Sequence, residues 1–215
     1  MDLKIIYEDE QLLVCYKPAG VATQTKRLGQ QDMESLLKNN RASKGEPSYI
    51  GVVHRLDQPV EGVMVFAKTK EAASDLSRQV QMKEADKFYY AVTDGVPVEK
   101  TGSLEDYLLR DGRTNTSKVV KEGTAGAKKA RLSYEVLAED GTHAILKIQL
   151  DTGRHHQIRV QLAHAGYPIA GDRKYNADSS TTSGDHLKLC SYKIGFVHPK
   201  THKKMEFEIE NPYAC

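Results

Sequence analysis

The chain has 215 residues, of which 39% are hydrophobic and 28% charged, with a formal net charge of +2. This suits one large domain or two small halves sharing a cleft. No apolar run approaches the roughly 20 residues of a bilayer span. The start, MDLKIIYEDEQLL, lacks the basic and apolar regions of a signal peptide, so a cytoplasmic protein without membrane association is expected. Cys15, Cys190 and Cys215 are odd in number and lack CxxC spacing. That argues against a disulfide framework or a structural zinc and for free thiols.

In chain order, IIYE and QLLVCY read as two short strands around the turn Glu8-Asp9-Glu10. Lys17-Pro18-Ala19-Gly20 breaks the second. Asp32 is placed to cap a helix over Met33 to Asn40, with Leu36 and Leu37 inward, and Arg41 to Ser48 reads as a loop. Val52-Val53 and Val63 to Ala67 read as buried strands around the tetrad His54-Arg55-Leu56-Asp57. Thr69 sits at an N-cap, with Ala73, Leu76 and Val80 at helical spacing up to about Lys83. Phe88 to Thr93 reads as a strand. Lys118 to Lys129 is Gly-rich and poorly patterned, which predicts a mobile hairpin or loop. Leu132 to Leu137 and Ala144 to Leu150 read as paired strands turning at Asp140-Gly141. His155 to Ala165 reads as a helix stopped by Gly166. Met205, Phe207 and Ile209 alternate with glutamates, as in a half-buried strand. Strands outnumber helices and many are hairpin-connected, which predicts an α+β fold with a mostly antiparallel sheet.

Three stretches could carry chemistry. If residues 52 to 57 are extended, Arg55 and Asp57 share one side. An Arg beside an Asp keeps the carboxylate ionised, as a nucleophile or base requires. An ordinary ion pair closing a strand end would look the same. In LDTGRHHQIRVQLAHAGYPIAGDRKY, Arg154 stands just ahead of a helix and is a natural phosphate or carboxylate ligand. His155, His156 and His164 have no HExxH spacing and no completing carboxylate, so no metal site is expected. In KFYYAVTDG, Tyr89 faces opposite Phe88 and Tyr90. A strand Tyr either packs in the core or offers its ring to a nucleobase. Arg110 to Arg131 holds seven Lys or Arg against two acidic residues, and HPKTHKK (198–204) adds three Lys and two His. Such runs suit polyanion contact, or are solvated loops.

The order KPAG (Lys17–Gly20), HRLD ending at Asp57, KFYYAVTDG, TGRHHQIRVQLAHAGYPIAGDRKY and FVHP (Phe196–Pro199) resembles the RluA-type family of RNA pseudouridine synthases over nearly the whole chain. The resemblance implies isomerisation of uridine to pseudouridine in structured RNA, ribosomal or transfer, without a cofactor or metal. It maps the catalytic aspartate onto Asp57. Arg55 would enter the RNA stack as the target base leaves, Tyr89 would stack on the flipped uracil, and Arg154 would pair with the catalytic carboxylate. It implies a mixed sheet in two halves with a central RNA-binding cleft flanked by helices, and a single catalytic domain over 1–215. The pattern starts within the first few residues, so no S4-like RNA-binding domain is expected ahead of it, and a monomer is the default.

The chain departs from the common HRLDxxTSG and GRTHQIR patterns at Val60, Glu61 and His155, and from a late LHA segment at Cys190. Glu61 adds negative charge beside a polyanion site. Two other functions fit less of the pattern. One is an RNA or nucleoside glycosidase with Glu61 or Asp172 as second carboxylate. The other is a non-catalytic RNA-binding module.

Overall fold

A computed structural model describes residues 3–25, 29–176 and 186–214. In chain order the elements are β1 (Ile5–Glu8), β2 (Leu12–Lys17), α1 (Met33–Ser43), β3 (Gly51–Val52), β4 (Glu61–Ala67), α2 (Lys70–Gln81), β5 (Asp86–Asp94), β6 (Thr101–Asp111), β7 (Thr116–Val120), β8 (Lys128–Glu139), β9 (His143–Leu150), α3 (Gln157–His164), β10 (Leu189–Val197) and β11 (Lys204–Glu208). This is the expected α+β architecture, with mixed, mostly antiparallel strands. The chain divides into two compact units, 1–87 with 191–210, and 88–190 with 211–215. None of the helices is long and apolar enough to cross a membrane, among the described residues.

In the first unit the strands run β1-β2-β4-β10, with β3 paired to β4 and β11 to β10. Leu12 lies opposite Ala67 and Val14 opposite Val65. These residues, with Val63, Ile194 and Phe196, form a buried cluster against Ala72 and Leu76 of α2. Helix α2 begins where a capping residue predicts, because the Thr69 hydroxyl accepts from the Ala72 N–H at 3.1 Å. Gly62 in β4 is required by contact: at φ 126°, a Cβ there would lie 2.2 Å from the Ser191 carbonyl oxygen. At the β1–β2 turn, Asp9 accepts from the Gln11 and Leu12 N–H groups, the Tyr7 hydroxyl and His198. Burial opposes its ionisation, but these bonds hold it below the usual carboxylate range. His198 Nδ1 already accepts from the Lys200 and Thr201 N–H groups. Its Nε2 therefore carries the proton shared with Asp9 at 2.8 Å.

The second unit is the antiparallel order β5-β9-β8-β6-β7. The β8–β9 turn forms as predicted, with the Asp140 carboxylate accepting from the Thr142 and His143 N–H groups.

Several expectations need correction. Helix α1 runs on through Ser43, where a loop was expected from Arg41. The Arg41 side chain is buried, donates from Nε to the Pro47 carbonyl at 2.7 Å and meets Glu46 at 3.2 Å. A tertiary contact thus extends the helix beyond its sequence signal. Leu36 is only half-buried, and the inward row is Met33, Leu37 and Arg41. Of the stretch Lys118 to Lys129, read as a mobile hairpin or loop, residues 118–120 end β7, one arm of a hairpin with β6, and β8 starts at Lys128. Their partner β6 carries mostly polar side chains at half-exposed positions, so no apolar alternation announces it. Helix α3 begins at Gln157, two residues late, because His156 takes a left-handed φ of 54°. Cys15 and Cys190 are buried free thiols, and burial pushes the Cys15 pKa up to about 12. Cys215 lies outside the described residues.

Candidate active site

Asp57 stands on an irregular segment between β3 and β4, not on a strand as the extended reading of 52–57 supposed. Arg55 is exposed, Leu56 buried and Asp57 half-buried. Both flanks of Asp57 are fixed. The buried Thr23 hydroxyl donates to the Leu56 carbonyl at 2.9 Å and accepts from the Leu56 N–H at 3.2 Å. The Gln58 carbonyl accepts from the Gly20 N–H at 2.9 Å and from Lys17 Nζ at 3.1 Å. The Gln58 side-chain amide donates back to the Gly20 carbonyl at 2.9 Å. Val60 N–H closes the turn onto the Asp57 carbonyl at 3.0 Å. Asp57 is thus held between two bonds on Leu56 and three on Gln58, which limits the freedom a reacting carboxylate would lose in a transition state.

Lys17 is the cation beneath this loop. It is 0% exposed, and its ammonium also donates to the carbonyls of Pro18 at 3.0 Å and Val21 at 2.7 Å. Burial pushes its pKa down to about 8, against the pull of the Asp57 and Glu61 charges. Glu61 accepts a 2.6 Å bond from the Tyr16 hydroxyl. Its charge therefore sits beside a buried cation and a phenol. His54 Nε2 accepts from the Val65 N–H at 3.2 Å. Lost hydration, with the Lys87 charge, pushes its pKa down to about 3, so it is a neutral acceptor tying the loop to β4.

The second unit carries Tyr89 and Arg154. Tyr89 is the buried ring of the β5 pair, 7% exposed, while Tyr90 is half-buried. It lies opposite Ile148 of β9, and Arg154 follows the end of that strand. These two residues therefore share one end of the unit. The Arg154 guanidinium donates from Nε to the Lys129 carbonyl at 2.9 Å. Gln157 fixes its backbone: Gln157 Oε1 accepts from the Arg154 N–H at 2.9 Å and the Thr152 hydroxyl at 2.7 Å, and its amide donates to the Arg131 carbonyl at 3.0 Å.

Other candidates are engaged structurally. Asp172, 1% exposed, receives Arg159 through two 2.7 Å bonds and also the Lys174 N–H. A carboxylate so enclosed is not placed to act on a sugar as nucleophile, acid or base. His155 uses Nδ1 on the Ser117 hydroxyl and Nε2 on Asn115, and His156 uses Nδ1 on the Tyr175 hydroxyl at 2.7 Å. Among the described residues no group of three or more His, Cys, Asp or Glu could hold a metal.

Sequence reasoning did not single out Lys17, Thr23 or Gln157. Lys17 and Gln157 lie inside quoted motifs, KPAG and GRHHQIR, which was the available signal. Thr23 had none, since its partner Leu56 is 33 residues away.

The α+β scaffold and the order of the motifs fit the class of RNA-modifying enzymes that the sequence resembles. Residues 11–164 match the RNA pseudouridylate synthase family. An uncharacterized RNA pseudouridine synthase of Aquifex aeolicus is 35% identical, over 98% of this chain and 70% of its own length. The dual-specificity RNA pseudouridine synthase RluA of Vibrio parahaemolyticus is 32% identical, over 92% of this chain and 79% of that protein. The solved structure of human RNA pseudouridylate synthase domain containing 4 superposes with a TM-score of 0.81 at 22% identity, covering 98% of this chain and 89% of that one. This chain belongs to the RNA pseudouridylate synthase family, isomerases that convert uridine to pseudouridine in RNA.

Proposed function

We propose that Asp57 is the catalytic carboxylate of this pseudouridine synthase, acting on structured ribosomal or transfer RNA in the cytoplasm, as one catalytic domain and a monomer. The observation that carries the reading is the double clamp on its loop, Thr23 on Leu56 and Lys17 with Gly20 on Gln58. The reaction breaks the C1′–N1 bond, turns the uracil and joins C5 to C1′. The C5 proton is lost and N1 gains one, so no oxidant, reductant or water is consumed. A carboxylate serves either route, attack on C1′ or removal of the 2′ proton. Arg55, exposed two residues ahead, enters the stack the target base leaves. Tyr89 stacks on the uracil, and Arg154 pairs with the carboxylate. Stacking worth about 1–3 kcal/mol offsets the few kcal/mol of extrusion.

The test is tritium release from RNA labelled at uridine C5, isolated from cells that lack the gene. Asp57→Asn is expected to bind this RNA and release nothing, and substantial release by that variant defeats the assignment. Tyr89→Phe is expected to keep turnover and Tyr89→Ala to lose it. Equal rates for both and the wild type refute the stacking role. Free uracil among the products would favour a glycosidase.

A further inference from the structure

Among the described residues, the cations of the β6–β7 hairpin form no salt bridge. Arg110 lies opposite Ser117 in the hairpin register. Across the turn, Asn115 adopts a left-handed φ of 51°, which Asn tolerates better than most residues. Three donors converge on Asn115. Arg110 Nη2 reaches its side-chain oxygen at 3.3 Å, His155 Nε2 the same oxygen at 3.2 Å, and Lys174 Nζ its carbonyl at 2.8 Å. Ser117 locks the assembly, its hydroxyl contacting His155 Nδ1 and the His155 carbonyl at 2.9 Å each, and its N–H bonding the Tyr175 hydroxyl at 2.8 Å. The His155 ring stacks on His156 at 3.8 Å between centroids.

Charge is the unusual feature. Among the described residues, none of Arg110, Arg113, Lys118, Arg173 and Lys174 forms a salt bridge, whereas Lys100, Lys129 and Arg131 of the same unit pair with Glu139, Glu105 and Asp151. Asp111 is the one carboxylate of the hairpin beside them; it accepts from the Arg113 and Thr114 N–H groups and feels the Lys118 charge, so it offsets part of the group's charge and leaves Arg110, Arg113, Arg173 and Lys174 in excess. Burial first, and then the charges of Arg159, His155, Lys174 and Arg110, push the His156 pKa down to about 2. Burial is the larger cause, and the neighbouring positive charges act in the same direction. Gathering like charges around a neutral amide raises the free energy of the unbound surface, and an anion relieves it. Arg110 and Lys174 each use one donor on Asn115 and keep the rest.

We infer that Arg110 and Lys174, set by Asn115 and His155 and supported by Arg113 and Arg173, form a seat for backbone phosphates of the RNA. The inference rests on RNA being the substrate. The seat reads charge and shape and carries no base specificity.

The test is fluorescence anisotropy of a fluorescein-labelled RNA hairpin with uridines in its loop, titrated with the full chain over a series of KCl concentrations. Arg110→Gln and Lys174→Gln are each expected to weaken binding roughly eightfold at about 0.1 M salt and to reduce the slope of log Kd against log salt by about one. Arg110→Lys and Lys174→Arg restore the slope. Lys100→Gln, which removes a cation paired with Glu139, changes neither quantity. Unchanged affinity and slope in the two Gln variants, weaker binding with an unchanged slope, or no binding by the wild type at low salt each overturn the seat. Asp57→Asn in the same assay keeps affinity and slope. If it retains turnover, the catalytic assignment fails while the seat stands.

Discussion

Replacing Lys17 with Met separates folding from chemistry. The substitution keeps the length of a fully buried side chain and removes its ammonium. The Gln58 carbonyl retains the Gly20 N–H, but the Pro18 and Val21 carbonyls lose the Lys17 donor. Two orphaned acceptors cost about 1–3 kcal/mol each. Against this, the fall in the Lys17 pKa from 10.5 to about 8 corresponds to an ionisation penalty of about 3 kcal/mol that the variant no longer carries. The terms largely offset, so the variant is expected to fold with stability within about 3 kcal/mol of wild type. Turnover should respond far more. One of the clamps beside Asp57 is gone, and a shift of about 1 Å in a reacting group lowers rate about a hundredfold.

The wild type also has a pH signature. Above about pH 8 the folded chain loses the Lys17 proton, whereas the unfolded chain keeps it to about 10.5. In that window the unfolded state binds more protons, so the Lys17 contribution to stability rises with pH, by up to about 3 kcal/mol. Over the same window the amine has one donor fewer for three carbonyls, so kcat falls. Urea melts and single-turnover tritium release at pH 7 to 10 measure the two effects, with Lys17→Met lacking both. Wild-type turnover by Lys17→Met, or identical pH profiles for the two proteins, would refute the clamp.

Gly62→Ala should destabilise the first unit by more than about 3 kcal/mol, since its Cβ meets the Ser191 backbone at 2.2 Å and a strand backbone has no rotamer to move. A urea midpoint equal to wild type would contradict this. Acid should destabilise the protein through His54 and His156, with folded pKa values of about 3 and about 2. Below the unfolded value of 6.5 the unfolded chain takes up protons the folded chain refuses. Each histidine then contributes a stability loss of about 1.4 kcal/mol per pH unit, down to those folded values. Urea melts at pH 7, 6 and 5 test this, and His156→Asn should remove about half of that slope. A slope unchanged by the substitution would show that His156 charges freely in the fold.

The legible parts of the fold were those whose cause is local. Asp32 and Thr69 announce α1 and α2 because a cap is a bond three residues long, and Asp140-Gly141 announces its turn for the same reason. Strand β6 was illegible because backbone ladders with β7 and β8 create it, not an apolar face. The carboxylate of interest was visible as a motif, but its support was not. A lysine before a proline reads as a surface residue, and only three carbonyls, one of them 41 residues distant, make its burial tolerable. The hairpin run was visible as charge, whereas its convergence on Asn115 depends on Lys174, 59 residues further along.

The histidine of FVHP has a different standing from the aspartate of HRLD. His198 has both ring nitrogens committed, to Asp9 and to the Lys200 and Thr201 amides. Both nitrogens serve the fold, one at the β1–β2 turn and one at the turn that follows β10. A relative that had lost its chemistry but kept its shape would still need that ring. Finding FVHP in another chain therefore reports on its scaffold, and the place to look for a retired synthase is the tetrad ending in the proposed catalytic residue, Asp57.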